Sequence, residues 1–295
     1  MHQYRAHRVC GPFLHPALTE LDIWFHATFE DIEGVHDILL LLPEAAPGLQ
    51  NLSIHCSCLV SELYGALASI LTSLPSLRKI SLPRHWFAGG VIDILATLPH
   101  LEQFDWNSTG VGALQDIIGF SVNLRDNSFP VLSRMEMEID FPTVQAFLGQ
   151  STVLGQLVSI DIKTINRAHP EHIHEFLQLC ASKGRALSKI RVDGFPTRPD
   201  PASINGTFNM AILQPALGCA EPTSLIIEYP TPLVLTEDNL RTISMKLPKL
   251  RSICLGELPL YPTPPTLNIA ALLPLLENCP HLEDIGLYLD GNDSF

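Results

Sequence analysis

The densest cluster of potential metal ligands in this chain is His169-Pro170-Glu171-His172-Ile173-His174. Residues 171 and 174 share a helix face, and a His-x-His phrase occurs in metal sites, but no cysteine or second histidine pair follows at a partner spacing. The segment reads instead as a helix N-terminus, with Pro170 in the first turn and Glu171 favoured there by the helix dipole. Cys56-Ser57-Cys58 could bind metal or cycle between redox states, yet no second pair completes a site. A cysteine just after a strand serves equally as a small buried apolar residue, and that is the reading taken here. No Gly-x-Ser-x-Gly elbow, Walker loop or dinucleotide fingerprint is present. Of the three tryptophans, Trp106 falls at a core position, while Trp24 falls on an outward register and is the better surface candidate. No catalytic constellation emerges, and no cofactor or metal is implied.

The elements that would position these residues come from one phrase, Pro-x-Leu-x-x-Φ-x-Φ, where Φ is apolar. It reads Pro75-Ser76-Leu77-Arg78-Lys79-Ile80-Ser81-Leu82 and Pro99-His100-Leu101-Glu102-Gln103-Phe104-Asp105-Trp106. It returns as Pro248-Lys249-Leu250-Arg251-Ser252-Ile253-Cys254-Leu255 and Pro280-His281-Leu282-Glu283-Asp284-Ile285-Gly286-Leu287. With looser copies the repeats start near residues 18, 49, 77, 101, 132, 157, 187, 222, 250 and 282. Self-similarity at such a period is the mark of a solenoid.

Two apolar residues around one polar residue make a short strand; Ile80, Leu82, Ile285 and Leu287 are expected to point into the core. The proline ends the preceding helix and holds its neighbour extended. Between phrases, apolar spacings of three and four predict helices over Val60–Leu71, Val91–Leu95, His172–Leu177 and Leu240–Leu247. Without hairpin signals the strands must run parallel through right-handed crossovers. The expected fold is an α/β solenoid of about ten repeats in a single domain, 1–295. Its parallel sheet would line a concave face and its helices a convex one. Strands are expected to start near 20, 51, 79, 103, 134, 159, 189, 224, 252 and 284, and Pro196–Asn205 and Tyr229–Leu235 to form rim loops.

Composition bounds the partners. Apolar residues make up 46% of the 295 and charged residues 17%, enough for a long continuous core and too apolar for disorder. A net charge of −13 disfavours nucleic acid and anionic membrane surfaces. The longest apolar runs, such as Ile38–Leu42, are far too short to span a bilayer. Seven cysteines without regular pairing and the lack of an apolar leader before His15 point to a reducing compartment, cytoplasmic or nuclear.

The phrases Leu74-Pro75-Ser76-Leu77-Arg78-Lys79-Ile80, Leu98-Pro99-His100-Leu101-Glu102-Gln103-Phe104, Leu247-Pro248-Lys249-Leu250-Arg251-Ser252-Ile253 and Glu277-Asn278-Cys279-Pro280-His281-Leu282-Glu283-Asp284-Ile285 resemble the leucine-rich repeats of fungal, mushroom-type F-box proteins. The likeness covers almost the whole chain. It implies a non-catalytic recognition module: in that family an F-box binds the adaptor of a ubiquitin ligase and the repeats hold the substrate. The Leu-Pro-x-Glu-Leu-like phrase of an F-box does not precede Leu18, so the adaptor is expected as a partner only if an F-box is supplied elsewhere. A repeat scaffold unrelated to ubiquitin ligases, of GTPase-activating or immunity type, and a shortened product without a selected partner remain open alternatives.

A protein partner would meet the residues that point out of the sheet. The central outward position runs Asp22, Ser53, Ser81, Asp105, Glu136, Asp161, Arg191, Ile226, Cys254, Gly286. Asp105, Glu136 and Asp161 form an acidic row that Glu138 and Glu102 extend, and Lys189 with Arg191 reverses the sign. Like charges on neighbouring strands repel, which a basic segment of a partner would relieve. The candidate contact residues are therefore Asp22, Trp24, Asp105, Glu136, Glu138, Asp161, Lys189 and Arg191.

Overall fold

A computed structural model of the chain describes residues 14–25, 32–86, 89–107, 124, 127–150, 152–164, 168–195 and 208–291. Each repeated phrase forms one strand: β1 (Glu20–Phe25), β2 (Asn51–Cys56), β3 (Lys79–Pro83), β4 (Gln103–Asn107), β5 (Arg134–Glu138), β6 (Ser159–Lys163), β7 (Lys189–Asp193), β8 (Ser224–Glu228), β9 (Ser252–Leu255) and β10 (Asp284–Leu287). Each begins at the residue the repeated phrase predicts. Contacts gather into two compact units, Met1–Met135 and Glu136–Phe295.

In the first unit β1 pairs with β2, β2 with β3 and β3 with β4, all parallel. In the second, β6, β7, β8, β9 and β10 pair successively, again all parallel. The central outward residues align without slippage: Asp22 lies opposite Ser53, Ser53 opposite Ser81 and Ser81 opposite Asp105. In the second unit Asp161 lies opposite Arg191, and Ile226 opposite Cys254. Register holds because a one-residue slip would turn every core side chain into water.

The leucine before seven of the ten strands is a stacking plug: Leu49, Leu77, Leu101, Leu132, Leu157, Leu187 and Leu250 are all buried, while Leu18 and Leu282 before the first and last strands are half-buried. The carbonyl of the following residue receives two amides from the next repeat, as Arg78 O does from Glu102 N (2.7 Å) and Gln103 N (3.0 Å). Thr223 O receives Arg251 N (2.7 Å) and Ser252 N (3.1 Å) in the same way. This shared acceptor joins consecutive turns before the strands begin, and its repetition supports the register.

Helices occupy the intervals. Val60–Ser73 buries Leu63, Leu67 and Ile70 at helical spacing, and Glu62 lies in its first turn. Pro170–Lys183 has Pro170 at its start and Glu171 in its first turn, and it buries Ile173, Phe176 and Leu177. Glu237–Lys246 opens with Thr236 accepting from Asn239 N while the Asn239 side chain accepts from Thr236 N, a reciprocal cap. The helices Ile32–Ala45 and Phe141–Gly149 were not anticipated; the second is capped by Asp140, which accepts from Thr143 N at 3.0 Å.

Two expectations need correction. Tyr229–Leu235 is more than a rim loop, because Leu233–Val234 pairs in parallel with Phe208–Asn209. Leu233 and Leu235 are buried there, and the buried Tyr229 hydroxyl donates to Ala168 O at 3.0 Å. Alternating Leu-Val-Leu had the strand pattern, but its partner lies far away in the chain. Ile285 shares the inward register of Ile253 yet is 36% exposed, whereas Ile80, Leu82 and Leu287 are buried. Among the described residues no repeat follows β10 to cover it. Pro196–Asn205 lies outside the described residues.

Candidate functional site

In the first unit the outward sheet face carries an aromatic platform. Trp24, 53% exposed, stacks on His55 with ring centroids 3.9 Å apart and planes 8° from parallel. The pairing of β1 with β2 dictates this, since Trp24 lies directly opposite His55. His55 Nε2 lies 3.1 Å from Asp22 Oδ1 and 3.0 Å from Ser53 Oγ. Serine, histidine and aspartate thus meet, but both oxygens address the same ring nitrogen. A hydrolytic triad uses the two nitrogens separately, aspartate on one and serine on the other. The cluster orients an aromatic surface; it does not have the geometry of an activated nucleophile. Sequence reasoning picked out Trp24 and Asp22 and missed His55, although aligning the first two repeats puts it beside Trp24.

Asp105 is half-buried next to this face. Lys79 Nζ lies 3.3 Å from its Oδ2, and Gln103 Nε2 donates to the same carboxylate at 3.0 Å. A polar cleft of about 230 Å³ runs between Asp22, Asn51, Ser53, Lys79, Ser81 and Asp105. A second, of about 330 Å³, lies among Arg78, Lys79, Glu102, Gln103 and Arg134. Arg78 pairs with Glu102 across the strands. Glu102, expected to extend the acidic row, is therefore matched by a cation. Polar grooves of this kind suit side chains of a docked protein better than the apolar enclosure typical of small-molecule sites.

In the second unit Asp161, Arg191 and Glu228 form a chain of charges across β6, β7 and β8. Arg191 Nε lies 3.8 Å from Asp161 Oδ2, and Arg191 Nη2 donates to Glu228 Oε1 at 3.2 Å. Lys163 Nζ lies 3.9 Å from Asp193 Oδ2. Burial above all, and then the neighbouring Glu136, push the Asp161 carboxyl up to about 6 against the opposing pull of Arg191. Glu136 and Asp161 do repel, as their adjacent positions imply, and Arg191 offsets only part of that. The compensating cations include Lys79 in one unit and Arg191 in the other. Lys189 is exposed on the same face as Arg191.

Glu138 shares the outward register of Glu136 but is only 6% exposed, so it adds little to any patch. The outward position at the C-terminal end of a strand is sheltered elsewhere too: Pro83 is buried and Asp193 half-buried.

Of the described cysteines, all but Cys254 are buried. Cys56 and Cys58 are buried, and Cys58 N–H donates to Cys56 Sγ at 3.3 Å. Burial pushes the Cys56 thiol up to about 12, which keeps it protonated and unfit as a thiolate ligand or nucleophile. Trp86 is buried over this turn, its indole N–H donating to Cys58 O at 2.8 Å. Trp106 is also buried. His169 precedes the helix Pro170–Lys183 as its cap residue, and among the described residues no three His, Cys, Asp or Glu side chains converge to hold a metal. Among the same residues no helix is long and apolar enough to cross a membrane.

No family model and no curated protein sequence matches this chain. Solved structures do. A chain from the crystal structure of the Rad7 and Elc1 complex in yeast matches at a TM-score of 0.50 and 15% identity, over 94% of this chain and 64% of that one. The leucine-rich-repeat-containing protein LegL7 from Legionella pneumophila matches at 0.51 and 11% identity, over 100% of this chain and 92% of that one. This chain therefore spans less than two thirds of the yeast chain's length. With one parallel strand per repeat and helices between them, the fold is an α/β leucine-rich-repeat solenoid.

Proposed function

We propose that this chain is a non-catalytic protein-recognition module that docks its partner on the outward sheet face. The observation that carries the reading is the Trp24–His55 stack beside Asp22: a large aromatic surface held in one orientation, half in water, with a carboxylate two residues away. Rigid aromatic anchors flanked by polar groups are what hot spots of binding are made of. A partner segment bearing arginine or lysine suits this face, because the cation meets Asp22 and the Trp24 ring in the first unit. In the second unit a cation near Glu136 and Asp161 relieves their repulsion.

The setting we favour is the substrate-binding half of an F-box-type ubiquitin-ligase receptor in the cytoplasm or nucleus. The repeat phrases support it, as does a structural neighbour that was crystallised in complex with a second protein. The test is a pull-down of the purified ligase adaptor. The chain alone is expected not to retain the adaptor, and the chain fused to a standard F-box is expected to retain it together with the substrate. Tight retention by the isolated chain, or loss of substrate binding in the fusion, would refute this setting.

A further inference from the structure

The two polar clefts of the first unit share a wall, since Asn51 and Lys79 line both, but they differ in charge. The one nearer β1 sets Glu20, Asp22 and Asp105 against Lys79. The larger, of about 330 Å³, sets Arg78, Lys79 and Arg134 against a single carboxylate, Glu102. Two of its cations are already met: Arg78 pairs with Glu102, and Lys79 Nζ lies 3.3 Å from Asp105 Oδ2. Arg134 is not. It points out of the sheet at the first position of β5, is exposed, and has no carboxylate partner among the described residues. Glu136, two residues on, does not line the cleft. One positive charge is thus left unmatched there, in a chain whose net charge is −13.

Charge selects the occupant. One unmatched guanidinium calls for one negative charge, and an aspartate or glutamate side chain supplies it through two parallel N–H···O bonds. A phosphoryl group carries nearly twice that charge and would leave an excess of it beside Glu102 and Asp105. The sheet then sets how far this point lies from the acidic one. Asp22 on β1 and Arg134 on β5 stand four strands apart, about 19 Å at about 4.8 Å per strand. An extended segment crossing the strands covers that span in about six residues at about 3.3 Å each. We propose that the cleft beside Arg134 takes an aspartate or glutamate of the docked partner, about six residues from the lysine or arginine that meets Asp22 and Trp24. This rests on the outward sheet face being the docking surface, and it deepens that reading: two points of opposite sign fix the direction of the segment, because reversing it sets like charges together.

The experiment pans a random peptide library on the full chain and, in parallel, on its Arg134→Glu and Asp22→Lys variants. Peptides enriched on the wild-type chain should pair a lysine or arginine with an aspartate or glutamate about six residues away. For the tightest of them, Arg134→Glu should weaken binding by about tenfold, and changing the peptide's acidic residue to lysine should restore it, as a direct charge pair requires. Arg134→Gln, which removes the charge without reversing it, should weaken binding less. Circular dichroism melts should stay near wild type for all variants, since both side chains lie at the surface. Peptides that need Asp22 but bind Arg134→Glu and Arg134→Gln undiminished would overturn the acidic-residue site and leave docking on the sheet face intact. Peptides indifferent to both Asp22→Lys and Arg134→Glu, or a library that yields none, would refute the docking surface and the site with it. Binding that appears only when phosphoserine replaces the acidic residue would overturn the choice of a carboxylate.

Discussion

Phe104 is where the packing of the first unit can be tested most sharply. It occupies the first inward position of β4, is buried, and meets Trp106 edge-on at 5.7 Å and Phe129 in a stack at 5.8 Å. Cutting it to alanine removes roughly 150 Å² of buried apolar surface, worth about 4 kcal/mol at about 25 cal/mol per Å². Each lost ring contact adds about 0.5–1.5 kcal/mol, and collapse of Phe129 and Trp106 into the space recovers part of the total. The net expectation is about 3–5 kcal/mol, the usual range for a buried phenylalanine. Against a total stability of about 5–15 kcal/mol this is a large fraction. The assay is urea unfolding followed by tryptophan fluorescence, in which Trp86 and Trp106 report on this unit. The midpoint should fall by about 1–2 M for an ordinary urea slope. Neighbouring repeats should unfold in the same transition, because stability in a solenoid is carried by its interfaces. Leu40→Ala, at an exposed helix position, serves as the control and should shift the midpoint little. An unchanged midpoint for Phe104→Ala would refute the stacked core described here.

Other outcomes follow from the charges. Asp161 titrates near 6 in the fold, above its unfolded value, so the folded chain holds the extra proton more tightly. Its penalty is fully present above about pH 6, and stability should rise as pH falls from about 6 to 4, by about 1–2 kcal/mol after allowance for partial solvent exposure. Asp161→Asn should abolish that increment in denaturation measured across the window; an unaltered profile would show the carboxyl is not perturbed. Glu136→Gln with Asp161→Asn should slow association of an affinity-purified basic partner at low salt, flatten its salt dependence and change dissociation less. An association rate equal to wild type would leave these carboxylates as solvated surface.

The strand positions were legible because Pro-x-Leu-x-x-Φ-x-Φ reports two things at once: where a helix must stop and which side chains alternate into the core. Ile80, Leu82, Phe104 and Trp106 all followed from it. Burial at the last repeat did not, because the pattern gives the direction in which Ile285 points and says nothing of whether a neighbour covers it. Glu138 was misjudged for a related reason: register gives the side of the sheet, while the chain beyond the strand decides how much of that side is open. Charge pairing was the least legible part. Asp105 was seen as one of a row of acids, but its nearest cation, Lys79, sits two residues before the central position of the preceding strand. The Trp24–His55 stack required two repeats to be superimposed at their final outward positions.

The central claim is that the outward sheet face is where a protein partner docks. Site-directed photo-crosslinking tests it directly, with the reactive side chain placed at Asp22 on the first unit's outward sheet face or at Lys189 on the second's, and at Ser61 or Glu175 on exposed helix positions. With the affinity-purified partner present, crosslinks are predicted from positions 22 and 189 and not from 61 and 175. Crosslinks from the helix positions alone would contradict the account.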